Sequence, residues 1–218
     1  MATQDDQSEY LIAPDLSRCG LSRAVDGIDQ DGNERAMSVV EERPLTIFLN
    51  AQEIVTAMTI GDYPEYLALG FLRNQGMLQD DADVTGVSYD EELETVVVRT
   101  ATQTSYEDKL KKKTRTSGCA VGTVFGDMME GLEEVHLPAS LVKTSWLYAL
   151  AAKINRTPSL YLDVGAIHGT VLCCADRPLV YMEDVGRHNA VDKIAGWMVS
   201  EQVSAADKIL YTTGRLTS

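Results

Sequence analysis

The sequence predicts an α/β chain built on a layered sheet, and three observations predict it. In the second half, short apolar strand patterns alternate with segments of helical period. In the first half, two hairpin patterns flank one helix. The 218 residues, 44% of them hydrophobic, are enough to bury a sizeable core.

Residues 1–42 are acidic and rich in Gly, Ser and Asp, with no sustained periodicity. They are expected to form a mobile arm, or one that orders only on a neighbour. Regular structure is expected from Pro44. Leu45–Asn50 and Glu53–Thr59 read as two strands around a turn at Asn50-Ala51. Pro64 to Gly76 reads as a helix, with Asp62 as its cap, Pro64 in its first turn and Gly76 as its stop. Val84–Ser88 and Glu94–Thr100 form the second hairpin pattern, and the polar stretch Ala101–Thr116 divides the chain. Beyond it, Ser140–Asn155 is predicted helical, with Leu147, Leu150, Ala151 and Ile154 on one face. Two strands follow, Ala166–Cys174 and Leu179–Met182, turning at Ala175–Pro178. Asp184-Val-Gly-Arg-His-Asn189 leads into a helix through Glu201, with Val191, Ile194, Ala195, Met198 and Val199 as its apolar face, and a strand Lys208–Thr213 completes the pattern. The expected organisation is therefore an acidic segment 1–42, a smaller α+β subdomain 43–115, and an α/β core 116–218. The closing Gly214-Arg-Leu-Thr-Ser218 reads as the start of a ligand loop or a next helix, so the polypeptide is expected to be truncated or incomplete.

A formal net charge of −14 argues against general nucleic-acid binding, which depends on a basic surface that releases counterions. Acids stand where a signal peptide needs bases, and no stretch has the length to span a bilayer. A cytoplasmic protein is expected. Its four cysteines, Cys19, Cys119, Cys173 and Cys174, are then not expected to form a disulfide framework. Cys173 and Cys174 are adjacent on one strand and point to opposite faces, so at least one is expected to be core filling.

Against this acidic background, Lys109-Leu-Lys111-Lys112-Lys113-Thr-Arg115 leads into Thr116-Ser-Gly-Cys119. Neighbouring cations favour the thiolate, and Ser117, Gly118 and Gly122 suggest a turn that leaves the sulfur reachable. Cys119 is read as the reactive thiol, with Lys111, Lys112, Lys113 and Arg115 as anion-binding groups; the plainer alternative is a solvated charge run in a surface loop. A second constellation is Glu183-Asp184-Val-Gly186-Arg187-His188-Asn189-Ala-Val-Asp192-Lys193. Gly186 permits a sharp turn into a helix whose free N–H groups favour an anion. Arg187, His188 and Asn189 fall in the first turn, where they can reach one ligand together, and Asp184 is placed to orient the His188 imidazole. The alternative is a capped helix with ordinary surface polarity. His168, beside Gly169, is a further candidate, and His136 is read as structural. There is no His-x-Glu with Pro-Cys-x-x-Cys, no zinc-knuckle spacing, no Gly-x-x-x-x-Gly-Lys-Ser/Thr loop and no Gly-x-Gly-x-x-Gly. Metal catalysis and ATP hydrolysis are therefore not expected.

Taken together, Glu42–Asn50, Glu65–Leu72 with its stop at Gly76, Thr116–Cys119 and the Glu183–Lys193 run resemble the formate dehydrogenase accessory sulfurtransferase family, the FdhD proteins. Thr213-Gly214-Arg215-Leu-Thr-Ser218 resembles that family's Ser-Gly-Arg-x-Ser segment. The resemblance spans roughly residue 42 to the end, and the Glu-Asp-Val-Gly-Arg-His-Asn run is its most specific part. It implies a cytidine-deaminase-like core without catalytic zinc, in a homodimer. It also implies transfer of persulfide sulfur from a cysteine desulfurase to the molybdenum bis-guanine-dinucleotide cofactor of formate dehydrogenase. Cys119 aligns with the first cysteine of the family's Cys-x-x-Cys, the persulfide position, while Gly122 replaces the second. A one-cysteine relay remains chemically sufficient, since each transfer is thiolate attack on a sulfane sulfur. The cofactor-binding set implied here is Lys111, Lys112, Lys113, Arg115, His168, Asp184, Arg187, His188, Asn189, Gly214 and Arg215. The family's further Gly-Phe-x-Arg-type segment does not occur in this chain. A non-catalytic chaperone that binds the cofactor and docks on apo-formate dehydrogenase is the alternative.

Overall fold

Asp29 accepts hydrogen bonds from the backbone N–H groups of Asp31 (3.0 Å) and Asn33 (2.9 Å), and Gly32 adopts φ +83°. This turn reverses the chain between two paired strands, β1 (Ser22–Ile28) and β2 (Glu34–Val40). The computed structural model describes residues 10–18, 20–78, 84–101, 113–116, 122–125 and 140–215. Regular structure thus begins well before Pro44, where the sequence pattern places its start. The ribbon is exposed along most of its length, so it lacks the alternation of buried apolar residues by which strands are read. Ahead of it, Ile12 bridges Val180, and the Tyr10 hydroxyl lies 2.8 Å from that of Thr157.

Period-two alternation of Leu45, Ile47 and Leu49 builds β3 (Arg43–Leu49), which pairs antiparallel with β4 (Gln52–Thr59). Helix α1 (Pro64–Asn74) follows, then β5 (Val84–Asp90) and β6 (Thr95–Thr100). The sheet order is β4-β3-β6-β5, with β3 and β6 parallel at its centre. Leu67, Ala68, Leu69 and Leu72 of α1 bury one face of this sheet against Leu45, Ile47, Leu49, Ile54, Val96 and Val98. Gly76, at φ +66°, ends the helical region as expected. Asp62 does not cap α1. The N-cap is Tyr63, in left-handed geometry (φ 47°) and without a side-chain cap, because the Asp62 carboxylate is turned into the interior.

A short antiparallel pair, β7 (Lys113–Thr116) and β8 (Gly122–Phe125), lies between the halves in sequence. Helix α2 (Thr144–Ile154) begins four residues later than the pattern predicts; Leu150 and Ile154 are buried, but Leu147 is half-exposed. A single turn, α3 (Leu160–Asp163), leads to β9 (His168–Cys174), β10 (Arg177–Asp184), α4 (Arg187–Ser200) and β11 (Lys208–Thr212). Strand β9 is central and antiparallel to both neighbours, so β10 and β11 run parallel to each other on either side of it. One sheet face, with Val171, Cys173 and Tyr181, packs on Leu150 and Ile154 of α2. The other, with Leu172, Val180 and Met182, packs on Ile194 and Trp197 of α4. The chain is therefore mixed α/β, with helices on both faces of the second sheet.

Helices α1 and α4 join the halves at a very close crossing. A Cβ on Gly70 would lie 1.7 Å from the Asp192 carbonyl oxygen, and one on Gly196 would lie 1.8 Å from that of Tyr66. Only glycine at both positions allows backbone to meet backbone.

Candidate functional site

Register pairs His168, the first residue of β9, with Asp184, the last of β10. Three residues later α4 begins at Arg187, and the end of β11 returns to the same corner. The Thr213 N–H donates to the Gly169 carbonyl, and the Gly169 N–H to the Thr213 hydroxyl, both at 3.0 Å. Gly214 then lies against Arg187; a Cβ there would stand 3.0 Å from the Arg187 Cβ. The topology thus gathers His168, Arg187, His188, Gly214 and Arg215 around the first turn of α4. Partial burial, followed by the charges of Arg187 and Arg215, holds the His168 pKa below the usual histidine value. Partial burial and Arg187 do the same for His188. The result is a cationic rim at a helix N-terminus, with donors suited to phosphate or diphosphate oxygens.

Asp184 and Asn189, predicted to share the ligand, belong instead to a buried layer beneath this rim. Both Asp184 oxygens are occupied: Oδ1 accepts from the Gly186 N–H (3.1 Å) and Asn189 Nδ2 (3.0 Å). Its Oδ2 accepts from the Thr59 hydroxyl and from Lys193 Nζ, the latter at 2.6 Å. Asp184 therefore fixes the turn into α4, and its bonds do not run to His188. Asn189 also donates to the Met58 carbonyl at 2.8 Å, tying α4 to the end of β4.

Three residues of this layer have roles that the sequence reading does not assign. Lys193, fully buried, donates to Asp62, to Asp184 and to the Glu183 carbonyl (2.9 Å), which matches its three N–H groups to three acceptors. Burial alone would drive Lys193 towards neutrality; the Asp184 and Asp62 carboxylates overcome this and hold its pKa above the usual lysine value. Glu183 accepts the Leu160 N–H at 2.9 Å and the Tyr161 N–H at 2.8 Å, capping α3 with its carboxylate. Asp192 accepts from Asn74 Nδ2 at 2.6 Å across the α1–α4 contact. Asp192 and Lys193 share the buried side of α4 with Asn189 and Gly196, but the α1 contact that buries this side comes from a distant part of the chain.

Cys119, Lys111 and Lys112 lie outside the described residues. Lys113 and Arg115 stand on β7, which is described by its backbone. Cys173 is fully buried, and burial pushes its thiol up to about 12, so it is a core residue with no thiolate at neutral pH. Cys174, on the opposite face, donates to Asp207 at 3.4 Å. Among the described residues no group of three or more His, Cys, Asp or Glu side chains is arranged to hold a metal ion. No described helix is long and apolar enough to cross a membrane.

Comparison with known proteins gives the following matches. The FdhD/NarQ family model matches residues 40–218. The "Sulfur carrier protein FdhD" of Bacillus subtilis (strain 168) is 29% identical over 183 residues, covering 83% of this chain and 70% of that protein. The protein of the same name from Wolinella succinogenes is 24% identical over 199 residues, covering 87% of this chain and 68% of its own length. Among solved structures, a candidate formate dehydrogenase accessory protein from Desulfotalea psychrophila superposes with a TM-score of 0.68 at 24% identity. That match covers 89% of this chain and 74% of the other, and shows a shared fold.

Proposed function

The chain belongs to the FdhD/NarQ family, and from that premise we propose that it is a sulfur carrier serving the maturation of formate dehydrogenase. In this reading Cys119 accepts sulfur from a cysteine desulfurase and passes it to the molybdenum bis-guanine-dinucleotide cofactor. The observation that carries the proposal is the rim of His168, Arg187, His188 and Arg215 at the first turn of α4, since a pterin dinucleotide presents diphosphates that need cations and N–H donors. The names of the relatives supply the sulfur-carrier role.

The transfer onto Cys119 balances without an external oxidant or reductant. Handing the sulfane sulfur on as sulfide, by contrast, breaks the Cys119 S–S bond and takes two electrons from a reductant, a reduced metal centre or a thiol, with Cys119 released as thiolate. The Cys119 thiolate attacks the terminal sulfur of the donor persulfide; a new S–S bond forms on Cys119, the old S–S bond breaks, and the donor cysteine leaves as thiolate. The proton lost from Cys119 goes to solvent, and the basic approach Lys111–Arg115 favours that loss. The α4 rim then holds the diphosphate of the acceptor. We take the β9–β11 sheet with α2 and α4 as the cytidine-deaminase-like core, and the working unit as a cytoplasmic homodimer.

The test is peptide mass spectrometry after reaction with an active desulfurase, cysteine and pyridoxal phosphate. A sulfur adduct confined to Cys119, absent from Cys119→Ala, is expected. Equal labelling of the variant would remove Cys119 from the pathway. Gly122, in place of a second cysteine, favours one other reading, a cofactor-binding chaperone. On that reading Cys119→Ala would still restore formate dehydrogenase activity in cells, whereas the sulfur-carrier reading expects loss of rescue.

A further inference from the structure

Beneath the rim two carboxyl groups, Asp62 and Asp184, share the single ammonium of Lys193, and burial holds the Asp62 pKa above the usual carboxylate value against the pull of Lys193. Lys193 and Asp184 are fully buried and Asp62 is 8% exposed, so solvent screens these charges little. Asp184 already bonds the Gly186 N–H at the very helix end that an anion would use. Other charged groups reach this set. Arg18, 5.5 Å from the centroid of the Tyr63 ring, favours ionised Asp62. Glu183, which caps α3, feels Asp62 and Lys193, and Asp192, bonded to Asn74, feels Asp184.

We propose that Lys193 is a positioning residue that cancels the charge of Asp184 behind the rim, and that Asp62 is the unbalanced charge that holds down the rim's affinity for diphosphate. This rests on the anion-binding reading of the rim. Lys193 touches no ligand. It acts through Asp184 and the Glu183 carbonyl, which together hold the turn that carries Arg187 and His188.

Asp62→Asn separates this from a merely structural role. The amide oxygen continues to accept from Lys193 Nζ, while one negative charge is lost. Titration calorimetry of inorganic pyrophosphate into the full chain at pH 8 is expected to show about threefold to tenfold tighter binding by Asp62→Asn, the scale for one weakly screened unit charge. Its Tm is expected to fall at the same time. Lys193→Met, with two uncompensated carboxylates, is expected to bind more weakly, and Lys193→Met with Asp62→Asn to recover part of that loss. Unchanged or weaker binding by a folded Asp62→Asn would overturn the proposal, because a structural pair loses affinity and Tm together. Asp62→Ser is the substitute should Asp62→Asn not fold. Absence of pyrophosphate binding by the unmodified protein would instead overturn the reading of the rim, and this inference with it.

Discussion

Asp192 is 8% exposed on the inner side of α4, and burial raises its carboxyl from 3.8 to about 7, only partly offset by the Asn74 amide. A folded-state pKa above the unfolded one means that the folded chain holds a proton the unfolded chain releases. The stability this contributes is full below about pH 4 and is lost as pH rises through 7. Asp192→Asn keeps the bond to Asn74 and removes the titration. Its stability relative to the unmodified protein is expected to rise between pH 4 and 8 by on the order of 2–4 kcal/mol. Urea unfolding at the two pH values reads this directly, and parallel pH profiles would mean that Asp192 titrates as an ordinary carboxylate. The sequence marks Asp192 as polar and part of a ligand motif. Its burial depends on α1, which is far away in the chain, and no local pattern reports that contact.

At the scale of elements, the crossing of α1 and α4 explains why two halves of different architecture form one unit. Gly70→Ala is expected to cost about 3 kcal/mol or more, since the added methyl meets the Asp192 carbonyl rather than a side chain that can rotate away. Chemical denaturation measures this, and a cost below about 1 kcal/mol, the ordinary range for a surface substitution, would show that the helices separate freely. The sequence located α1 well, because Pro64 and Gly76 punctuate it. It did not show that Gly70 is a contact surface, because a glycine inside a helical pattern carries no sign of what approaches it. The β1–β2 ribbon escaped for a different reason. Its turn chemistry, Asp29 to Asn33, is visible in the chain, but its strands bury too little to alternate.

For the whole molecule, a net charge of −14 makes the cationic rim a local exception, and on the proposed reading a diphosphate approaches it through a repulsive field. Arg187→Ala is expected to weaken pyrophosphate binding about tenfold, the size of one lost charge-assisted contact of about 1.4 kcal/mol, and to leave Tm nearly unchanged. Calorimetry beside a thermal scan decides; a large fall in Tm would make Arg187 a structural residue. The site was legible in the sequence as a set of residues and not as an arrangement. His168, Arg187, His188, Gly214 and Arg215 meet at one corner because β9 begins there and β10 and β11 end there. Asp184 and Asn189 look equally available in the sequence, yet their neighbours are Thr59 and Met58, more than a hundred residues earlier.

The glycine contact also limits how the corner can move. At Gly70 and Gly196 the two helix backbones meet with no side chain between them, which leaves α4 little room to roll or slide over α1 there. A displacement that carries Arg187 towards a ligand must carry Tyr66 to Leu72 as well, and with them the buried strand β3. Adjustment at the rim is therefore left to side-chain rotation and to the loop at Thr213-Gly214.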